Sequence, residues 1–210
     1  MAVSSKSSSS RWKQRQQSDH YVKKAQQQGL VSRAYFKLED LNNTHMFIKP
    51  NSHVLDLGAA PGGWSCFVLK KIVTGTLVSV DLLPMKKLNS NHVVINGNFG
   101  SDECLAEINN VRSNKLFDVV LCDASPNISG IQEYDNLRFD TLIKEVLFIT
   151  SCCLIKNGYL IIKIFDSENS TQNFTLLKSL FKQVKPCKPD SSRKESKERY
   201  YVCVGFLKKE

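Results

Sequence analysis

The 210-residue sequence has no long apolar run, and nowhere does it approach the ~20 apolar residues that a membrane-spanning helix needs. Its start, Met1 to Ser10, also lacks the apolar stretch of a secretory signal. Hydrophobic residues make up 41% of the chain and charged residues 23%, which excludes a wholly disordered protein. We therefore expect a soluble, cytoplasmic, globular protein with no membrane partner.

The spacing of a metal site or a dinucleotide site is absent as well. The seven cysteines are odd in number, and none forms a C-x-x-C pair or lies near a histidine at the spacing of zinc ligands. The dinucleotide fingerprint G-x-G-x-x-G and the P-loop lysine with its serine or threonine are also missing. These absences predict reduced thiols and no metal, and they argue against an NAD-dependent oxidoreductase.

Positive charge is concentrated in two parts of the chain. Residues 1–38 carry eight basic side chains and one acid, Asp19, which places +7 of the formal net charge of +9 in that segment. A second basic stretch, residues 178–199, has eight cations against three acids. Such runs are often only solvated surface, but two of them favour a polyanionic partner such as RNA.

The length of the chain suits one sizeable core and is short for two. Residues 1–18 are serine-rich and basic with almost nothing to bury, which predicts a flexible basic arm. An organellar transit peptide is the alternative for this segment, although it has too few apolar residues for an amphipathic face. We expect a single domain over residues 19–210.

Short β-rich runs alternate with helical runs after residue 51, which is typical of an α/β domain with a largely parallel central sheet and helices on both faces. The predicted strands are residues 53–58, 76–81, 93–97, 117–123, 159–165 and 199–207. The predicted helices are residues 64–72, 102–111, 138–155 and 171–181, preceded by a helix that Ser32 opens.

A glycine-rich turn follows the first predicted strand in VLDLGAAPGGWS, residues 54–65. Such a turn lets backbone N–H groups approach a nucleotide-like ligand closely. Asp81 ends the next strand, where its carboxylate can accept hydrogen bonds from both hydroxyls of a ribose. No basic residue lies between Asp56 and Lys70, which suits a sulfonium cofactor without phosphates. These features predict S-adenosylmethionine, and the alternative is that the glycines only permit tight packing.

Two ionisable residues stand out against apolar runs. Asp123 ends VVLCD, and Lys163 interrupts YLIIKIF. A lysine in a strand that is buried on both faces is costly unless it faces a site, and the alternative is an edge strand with the lysine in solvent. Both residues lie near the carboxyl ends of predicted parallel strands, where open α/β sheets bind ligands, and this coincidence favours a site.

Six segments follow one another in order and with few gaps. They are SDHYVKKAQQQGLVSRAYFKLEDL (18–41), LDLGAAPGGWS, VDLLPM, CDASPNISG, IIKIF and KPDSSRKESKERYYV. Together they resemble the FtsJ (RrmJ, RlmE) family of ribosomal RNA 2′-O-ribose methyltransferases, from about Ser10 almost to the end of the chain. The resemblance implies a Rossmann-like methyltransferase fold that uses S-adenosylmethionine. It also implies a catalytic tetrad of Lys37, Asp123, Lys163 and Glu198.

The same resemblance implies the residues that hold the cofactor. Gly62 and Trp64 are expected to contact its methionine part, and Asp81 its ribose. Asp123 is expected to contact the cofactor as well as the other residues of the tetrad. The family reads the adenine with the aspartate of a G-D-F triplet, whereas this chain has G-N-F with Asn98 in the middle. The side-chain carbonyl of Asn98 still accepts a hydrogen bond from an amino group, so we expect recognition to survive without the charge.

The chemistry of ribose methylation accounts for such a tetrad. A ribose 2′-hydroxyl is a poor nucleophile, so a base must take its proton as it attacks the methyl group in line. Lys163 is the predicted base, provided that burial and the neighbouring Lys37 disfavour its charged form. Asp123 and Glu198 are expected to hold the lysine and the hydroxyl in place, while their charges oppose that loss of the proton.

The resemblance implies that the chain methylates a uridine of 23S ribosomal RNA within the 50S subunit. We expect a monomer, although no sequence feature indicates the oligomeric state. Arg33 and Lys37 would line one approach to the tetrad, and Arg193 the other. Two alternatives stay open. One is the same chemistry on transfer RNA or an mRNA cap, and the other is a ribosome-assembly factor that binds RNA with an idle site.

Overall fold

The computed structural model describes residues 19–113, 115–165, 170–193 and 195–207. The predicted basic arm, residues 1–18, lies outside them. Six helices and seven strands occur among the described residues. The helices are α1 (His20–Gln27), α2 (Ala34–His45), α3 (Gly63–Lys71), α4 (Asp102–Val111), α5 (Gln132–Cys153) and α6 (Ser170–Leu180). The strands are β1 (Val54–Leu57), β2 (Leu77–Asp81), β3 (His92–Asn96), β4 (Phe117–Cys122), β5 (Leu154–Phe165), β6 (Phe181–Cys187) and β7 (Glu198–Phe206).

The strands form one sheet in the order β3-β2-β1-β4-β5-β7-β6. The first five run parallel, whereas β7 is antiparallel to both of its neighbours, β5 and β6. Glu198 at the start of β7 therefore lies opposite Phe165 at the end of β5. The first residues of β7 thus lie at the edge of the sheet at which the parallel strands end. The predicted α/β fold with a largely parallel sheet is confirmed.

Two apolar clusters, one on each face of the sheet, hold the layers together. Alternate residues of β1 point to opposite faces, so that Leu55 and Leu57 join the cluster that contains α4, α5 and α6. Val54 joins the other cluster, together with apolar residues of α1, α2 and α3. Helices therefore cover both faces, as the sequence predicts. No described helix is long and apolar enough to cross a membrane.

Side chains just before the helices fix where several of them begin. Asp19 caps α1 by accepting hydrogen bonds from the backbone N–H groups of Tyr21 and Val22. Ser101 caps α4 in the same way. Ser32, which was expected to open α2, accepts a hydrogen bond from the backbone of Ala34 at 3.1 Å. A local polar contact therefore marks the start of these three helices.

Two boundaries differ from the prediction, and one strand was not predicted. The helix α5 begins at Gln132 rather than residue 138, because none of residues 132–137 is buried and no apolar periodicity marks them. The strand β5 begins at Leu154 rather than residue 159. Its pairing with β4 is irregular between these two residues. The prediction omitted β6, an edge strand that is mostly polar and contains Pro186.

Truncation of a buried ring tests the packing of α3 on the sheet. Phe67 is fully buried and lies 5.3 Å from the ring of Tyr35, measured between centroids. We expect Phe67→Ala to lower the free energy of unfolding by about 3–5 kcal/mol, because it leaves a cavity. Phe148→Ala is the control, since Phe148 is 54% exposed, and should change it by no more than about 0.5 kcal/mol. Urea unfolding measures both, and equal losses would contradict this packing.

Candidate active site at the carboxyl edge of the sheet

Two ion pairs lie side by side where the parallel strands end. Lys163 Nζ of β5 lies 3.2 Å from Oδ1 of Asp123, the residue that follows β4. Lys37 Nζ of α2 lies 2.8 Å from Oε1 of Glu198, the first residue of β7. The four side chains are only 10–18% exposed. The structure thus brings together the four residues that were predicted to form a tetrad.

The hydroxyl of Tyr200 joins the two ion pairs. It donates a hydrogen bond to Asp123 Oδ1 at 2.8 Å and accepts one from Lys37 Nζ at 3.2 Å. Tyr200 is fully buried, and this burial, together with the negative charges of Asp123 and Glu198, raises its pKa well above the usual value. The phenol therefore stays protonated at neutral pH and is a fixed donor to Asp123.

Sequence reasoning missed Tyr200, although a signal was present. Residues two apart in a strand face the same side, so Tyr200 shares a face with Glu198. Across the sheet Tyr200 is the direct partner of Lys163. In the segment RYYV a tyrosine looks like an ordinary core aromatic. Its position two residues after Glu198, on the same face of the strand, is the one local signal that it belongs to a site.

Lys163 is held in the interior rather than in solvent. Its strand lies between β4 and β7, and the residue is 9% exposed, so the alternative of an edge-strand lysine is wrong. Besides the carboxylate, its ammonium group hydrogen-bonds to the backbone carbonyl of Asp123. It also lies 5.8 Å from the centre of the Phe165 ring. One residue, Asp123, therefore positions the lysine through two oxygen atoms.

A cavity of about 470 Å³, which we call the acidic cavity, opens beside these ion pairs at the ends of β1, β2 and β4. Three carboxylates line it, those of Asp81, Asp123 and Glu145, and its described lining includes no lysine or arginine. Asn98 lies in the same wall. The volume is typical of a small-molecule site, and the charge of the lining favours a cationic ligand.

Backbone donors orient the polar side chains of the acidic cavity. Asp81 accepts hydrogen bonds from the backbone N–H groups of Ala60 and Leu83, both at 2.8 Å. The side-chain oxygen of Asn98 accepts one from Gly100 at 3.0 Å, which leaves it a second lone pair for a ligand. Both side chains are therefore fixed by the turns in which they lie.

The glycine-rich loop forms one wall of this cavity and packs closely against Ala124. Gly58 has φ +68°, and a Cβ added to it would lie 2.5 Å from the Cβ of Ala124. Gly62, with φ +107°, immediately precedes α3. Gly62 and Trp64 are not among the lining residues, and the ring of Trp64 instead lies 5.8 Å from that of Tyr200. Their contact with a cofactor stays a prediction.

A buried chain of polar groups lies beneath the loop. Ser65 donates to Asp56 at 2.7 Å, and its hydroxyl lies 2.9 Å from that of Ser79, which in turn lies 2.9 Å from Nε2 of His92. Burial raises the pKa of Asp56 to about 7 and lowers that of His92 to about 4. The chain ties three strands to α3, which fixes the helix under the loop.

A second cavity, of about 440 Å³, lies on the Lys37 side of the site, and we call it the basic cavity. Its lining contains three cations, Arg33, Lys37 and Arg193, and the carboxylates of Glu195 and Glu198. Asp19 pairs with both arginines, at 2.9 Å from Nε of Arg193, and Arg33 also donates to the backbone carbonyl of Ser191. The two basic stretches of the sequence therefore meet beside the ion pairs.

Metal-binding clusters do not occur in the described part of the chain: no group of three or more His, Cys, Asp or Glu side chains could hold an ion there. The cysteines Cys66, Cys104, Cys122, Cys152, Cys153, Cys187 and Cys203 are all free thiols.

Comparison with known sequences points to one family. The family model described as FtsJ-like methyltransferase matches residues 30–206. A protein of Buchnera aphidicola subsp. Schizaphis graminum, named ribosomal RNA large subunit methyltransferase E, is 37% identical over 94% of this chain and 96% of its own. A protein of the same name from Francisella tularensis subsp. novicida is 37% identical over 97% of this chain and 99% of its own.

Solved structures give a consistent result. A putative ribosomal RNA methyltransferase from Plasmodium falciparum superposes with a TM-score of 0.76 at 27% identity, and the match covers 85% of this chain and 99% of that one. Human methyltransferase-like protein 13 in complex with SAH gives a TM-score of 0.57 at 13% identity, over 83% of this chain and 81% of that one. The second similarity shows the fold alone.

Removal of the Tyr200 hydroxyl tests the link between the ion pairs. Tyr200→Phe leaves Asp123 and Lys37 each without one buried partner, so we expect a loss of about 1–3 kcal/mol in the free energy of unfolding. Tyr134→Phe removes a hydroxyl from a tyrosine that is 56% exposed and should change stability by no more than about 0.5 kcal/mol. Urea unfolding at pH 7 measures both. If the two variants lose the same amount, the link contributes nothing.

Proposed function

The chain belongs to the FtsJ-like methyltransferase family, and from this premise we propose that it transfers the methyl group of S-adenosylmethionine to the ribose 2′-hydroxyl of a uridine in 23S ribosomal RNA. One observation carries the proposal. Asp123 both pairs with Lys163 and lines the acidic cavity, so a methyl donor in that cavity would lie beside an acceptor at the lysine. The names of the bacterial relatives support the choice of RNA.

The acidic cavity fits S-adenosylmethionine. The cofactor supplies an electrophilic methyl group on a positively charged sulfur, and its methionine part carries an ammonium group. Carboxylates in the lining favour this cation, and they favour it over the neutral thioether that remains after transfer. We assign Asp81 to the ribose hydroxyls and Asn98 to the adenine amino group. Glu145, which the sequence did not single out, adds a third negative charge.

Gly62 and Trp64 keep their proposed role at the methionine part of the cofactor. The indole N–H of Trp64 is buried and has no hydrogen-bond partner among the described residues. A buried donor of this kind costs free energy unless a ligand or a water molecule accepts its hydrogen bond. The indole is therefore the feature that supports a ligand near this loop.

Lys163 is the proposed base. Its Nζ takes the proton of the 2′-hydroxyl as the oxygen attacks the methyl carbon, which requires the amine form of the lysine at that moment. Asp123 orients the nitrogen through its carboxylate and its backbone carbonyl, and it stabilises the ammonium group that results. Tyr200 holds the carboxylate, and the pair of Lys37 and Glu198 lies next to that phenol.

The basic cavity supports an RNA substrate. Arg33, Lys37 and Arg193 present cations beside the tetrad, where they can contact phosphates. Residues 1–18 add four further cations and no acid to the chain. We further propose that this arm assists RNA binding, that the 50S subunit is the substrate particle, and that the enzyme is a cytoplasmic monomer.

Replacement of Lys163 tests the role of the base. Lys163→Ala removes the amine, and Lys163→Arg keeps a cation for Asp123 that stays protonated. We expect both variants to lower kcat for tritium transfer from labelled S-adenosylmethionine to 50S subunits by about 100-fold or more. Lys185→Ala, in the exposed part of β6, should leave transfer unchanged. A Lys163→Arg enzyme as active as its parent would rule out Lys163 as the base.

The same assay separates the possible substrates. The parent enzyme should label 50S subunits and leave transfer RNA and capped mRNA unlabelled. Label on transfer RNA or the cap alone would overturn the substrate but not the chemistry. Binding of S-adenosylmethionine and of 50S subunits with no transfer to any RNA would instead identify an assembly factor with an idle site.

Filling the loop wall of the acidic cavity tests the position of the cofactor. Gly58→Ala must separate the loop from Ala124, so we expect the Kd for S-adenosylmethionine to rise about tenfold or more in isothermal titration. Gly29→Ala is a matched control, since Gly29 has φ +64° but no atom within 4 Å of the added Cβ. It should cost about 1 kcal/mol of stability and leave the Kd unchanged. Equal Kd values in both variants would place the cofactor elsewhere.

A further inference from the structure

A third cavity, of about 380 Å³, lies between the loop after β4, the first turns of α5 and the end of β5. We call it the aromatic cavity, because Phe139 and Phe165 line it. Its wall also contains Ser125 and Pro126, which belong to the wall of the acidic cavity as well. The two cavities are therefore neighbours that share one piece of the chain.

We propose that the aromatic cavity holds the base of the acceptor nucleotide, a pyrimidine that is turned out of its stack. This inference rests on the proposed function, because it takes RNA as the acceptor and Lys163 as the base. It adds a separate site, and it names the chemical group that the site binds.

The position of Phe165 carries the proposal. This residue ends β5 two positions after Lys163, whose Nζ lies 5.8 Å from the centre of the phenyl ring. In a ribonucleotide the base and the 2′-hydroxyl are attached to adjacent carbon atoms of the ribose. A base placed against Phe165 therefore brings its own 2′-hydroxyl close to the lysine, on the side that borders the acidic cavity.

The lining of the aromatic cavity has the chemistry of a base-binding site. Single-stranded RNA is recognised by aromatic side chains that stack on unstacked bases and by polar groups that bond to their edges. Besides the two phenyl rings, the wall contains the carboxamides of Gln132 and Asn136. Neither carboxamide makes a side-chain hydrogen bond to a described residue. Each offers a donor and an acceptor, the pair that the edge of a pyrimidine requires.

The loop that forms one wall is held in place before any ligand binds. The carboxylate of Asp135 accepts hydrogen bonds from the backbone and hydroxyl of Ser129, both at 2.7 Å, and from the backbone of Gly130 at 3.0 Å. Arg138 donates to the carbonyl of Asn127 at 3.0 Å. Two residues of α5 therefore fix the loop, so that little ordering is left for the binding step.

The three cavities differ in the part of the reactants that each can accept. The basic cavity has arginines that can contact phosphates, although Glu195 and Glu198 also line it, while the acidic cavity has carboxylates and suits a cationic donor. The aromatic cavity has two phenyl rings, two carboxamides, and one charge of each sign, Asp135 and Lys197. Ile128 in its wall is 71% exposed, and a neighbouring base of a single strand can cover it. A nucleobase fits this environment better than a phosphate does.

Photo-cross-linking tests the position of the base directly. The full chain is bound, with S-adenosylhomocysteine, to 50S subunits reconstituted with 23S RNA that contains 5-iodouridine, and the complex is irradiated. We expect a cross-link to Phe139 or Phe165, or to the loop of residues 125–131, and we expect the linked uridine to be the one that the parent enzyme methylates. A bound complex that links only around Arg33 and Arg193, to a different uridine, to another protein, or not at all would overturn the proposal.

Steady-state kinetics provides a second test. We expect Asn136→Ala and Phe165→Leu to raise KM for 50S subunits about tenfold and to leave the Kd for S-adenosylmethionine unchanged. Phe165→Leu keeps an apolar contact for Phe139, and urea unfolding verifies that it folds. Asn110→Ala, an exposed asparagine on α4, is the matched control and should behave like the parent.

The outcomes separate this inference from the proposed function. A parent enzyme that transfers no methyl group to any RNA contradicts the proposed function itself. A fully active parent whose KM is unchanged in both cavity variants overturns only the base-binding site.

Discussion

The carboxylate of Asp123 is the contact on which the other parts of the site depend. A lysine inside a parallel sheet is tolerated only with a buried partner, and Asp123 is that partner for Lys163. The same oxygen atom accepts a hydrogen bond from the hydroxyl of Tyr200. That hydroxyl in turn accepts one from Lys37, which pairs with Glu198. Because Asp123 also lines the acidic cavity, one side chain connects Lys163, the proposed base, with the proposed cofactor site.

The placement of charge follows from the topology of the sheet. Parallel strands deliver Asp81 and Asp123 to one edge, and the glycine-rich loop keeps that part of the surface free of cations. Helix α2 and the segment before β7 bring arginines to the neighbouring basic cavity, where Asp19 holds them together. The acidic cavity therefore has only carboxylates as charged side chains in its described lining, whereas the adjacent basic cavity combines three cations with Glu195 and Glu198.

Much of this arrangement could be predicted from the sequence, and the exceptions have physical causes. The central strands are continuous apolar runs, so the sequence predicted the fold, and Lys163 stood out as a charged residue within such a run. The family resemblance predicted the other two residues, Lys37 and Glu198. The strand β6 was missed because an edge strand does not need apolar residues on both faces. Tyr200 was missed because its role depends on pairing with β5, which no local pattern reveals. The burial of Trp64 depends on the same long-range contacts.

The antiparallel insertion of β7 has a consequence for biosynthesis. A growing chain contains Lys163, Asp123 and the residues that line the acidic cavity before residues 198–206 leave the ribosome. Until then Asp123 lacks the hydrogen bond from Tyr200, and Lys37 lacks its ion pair with Glu198. The proposed tetrad therefore cannot assemble until β7 has been translated and has paired with β5.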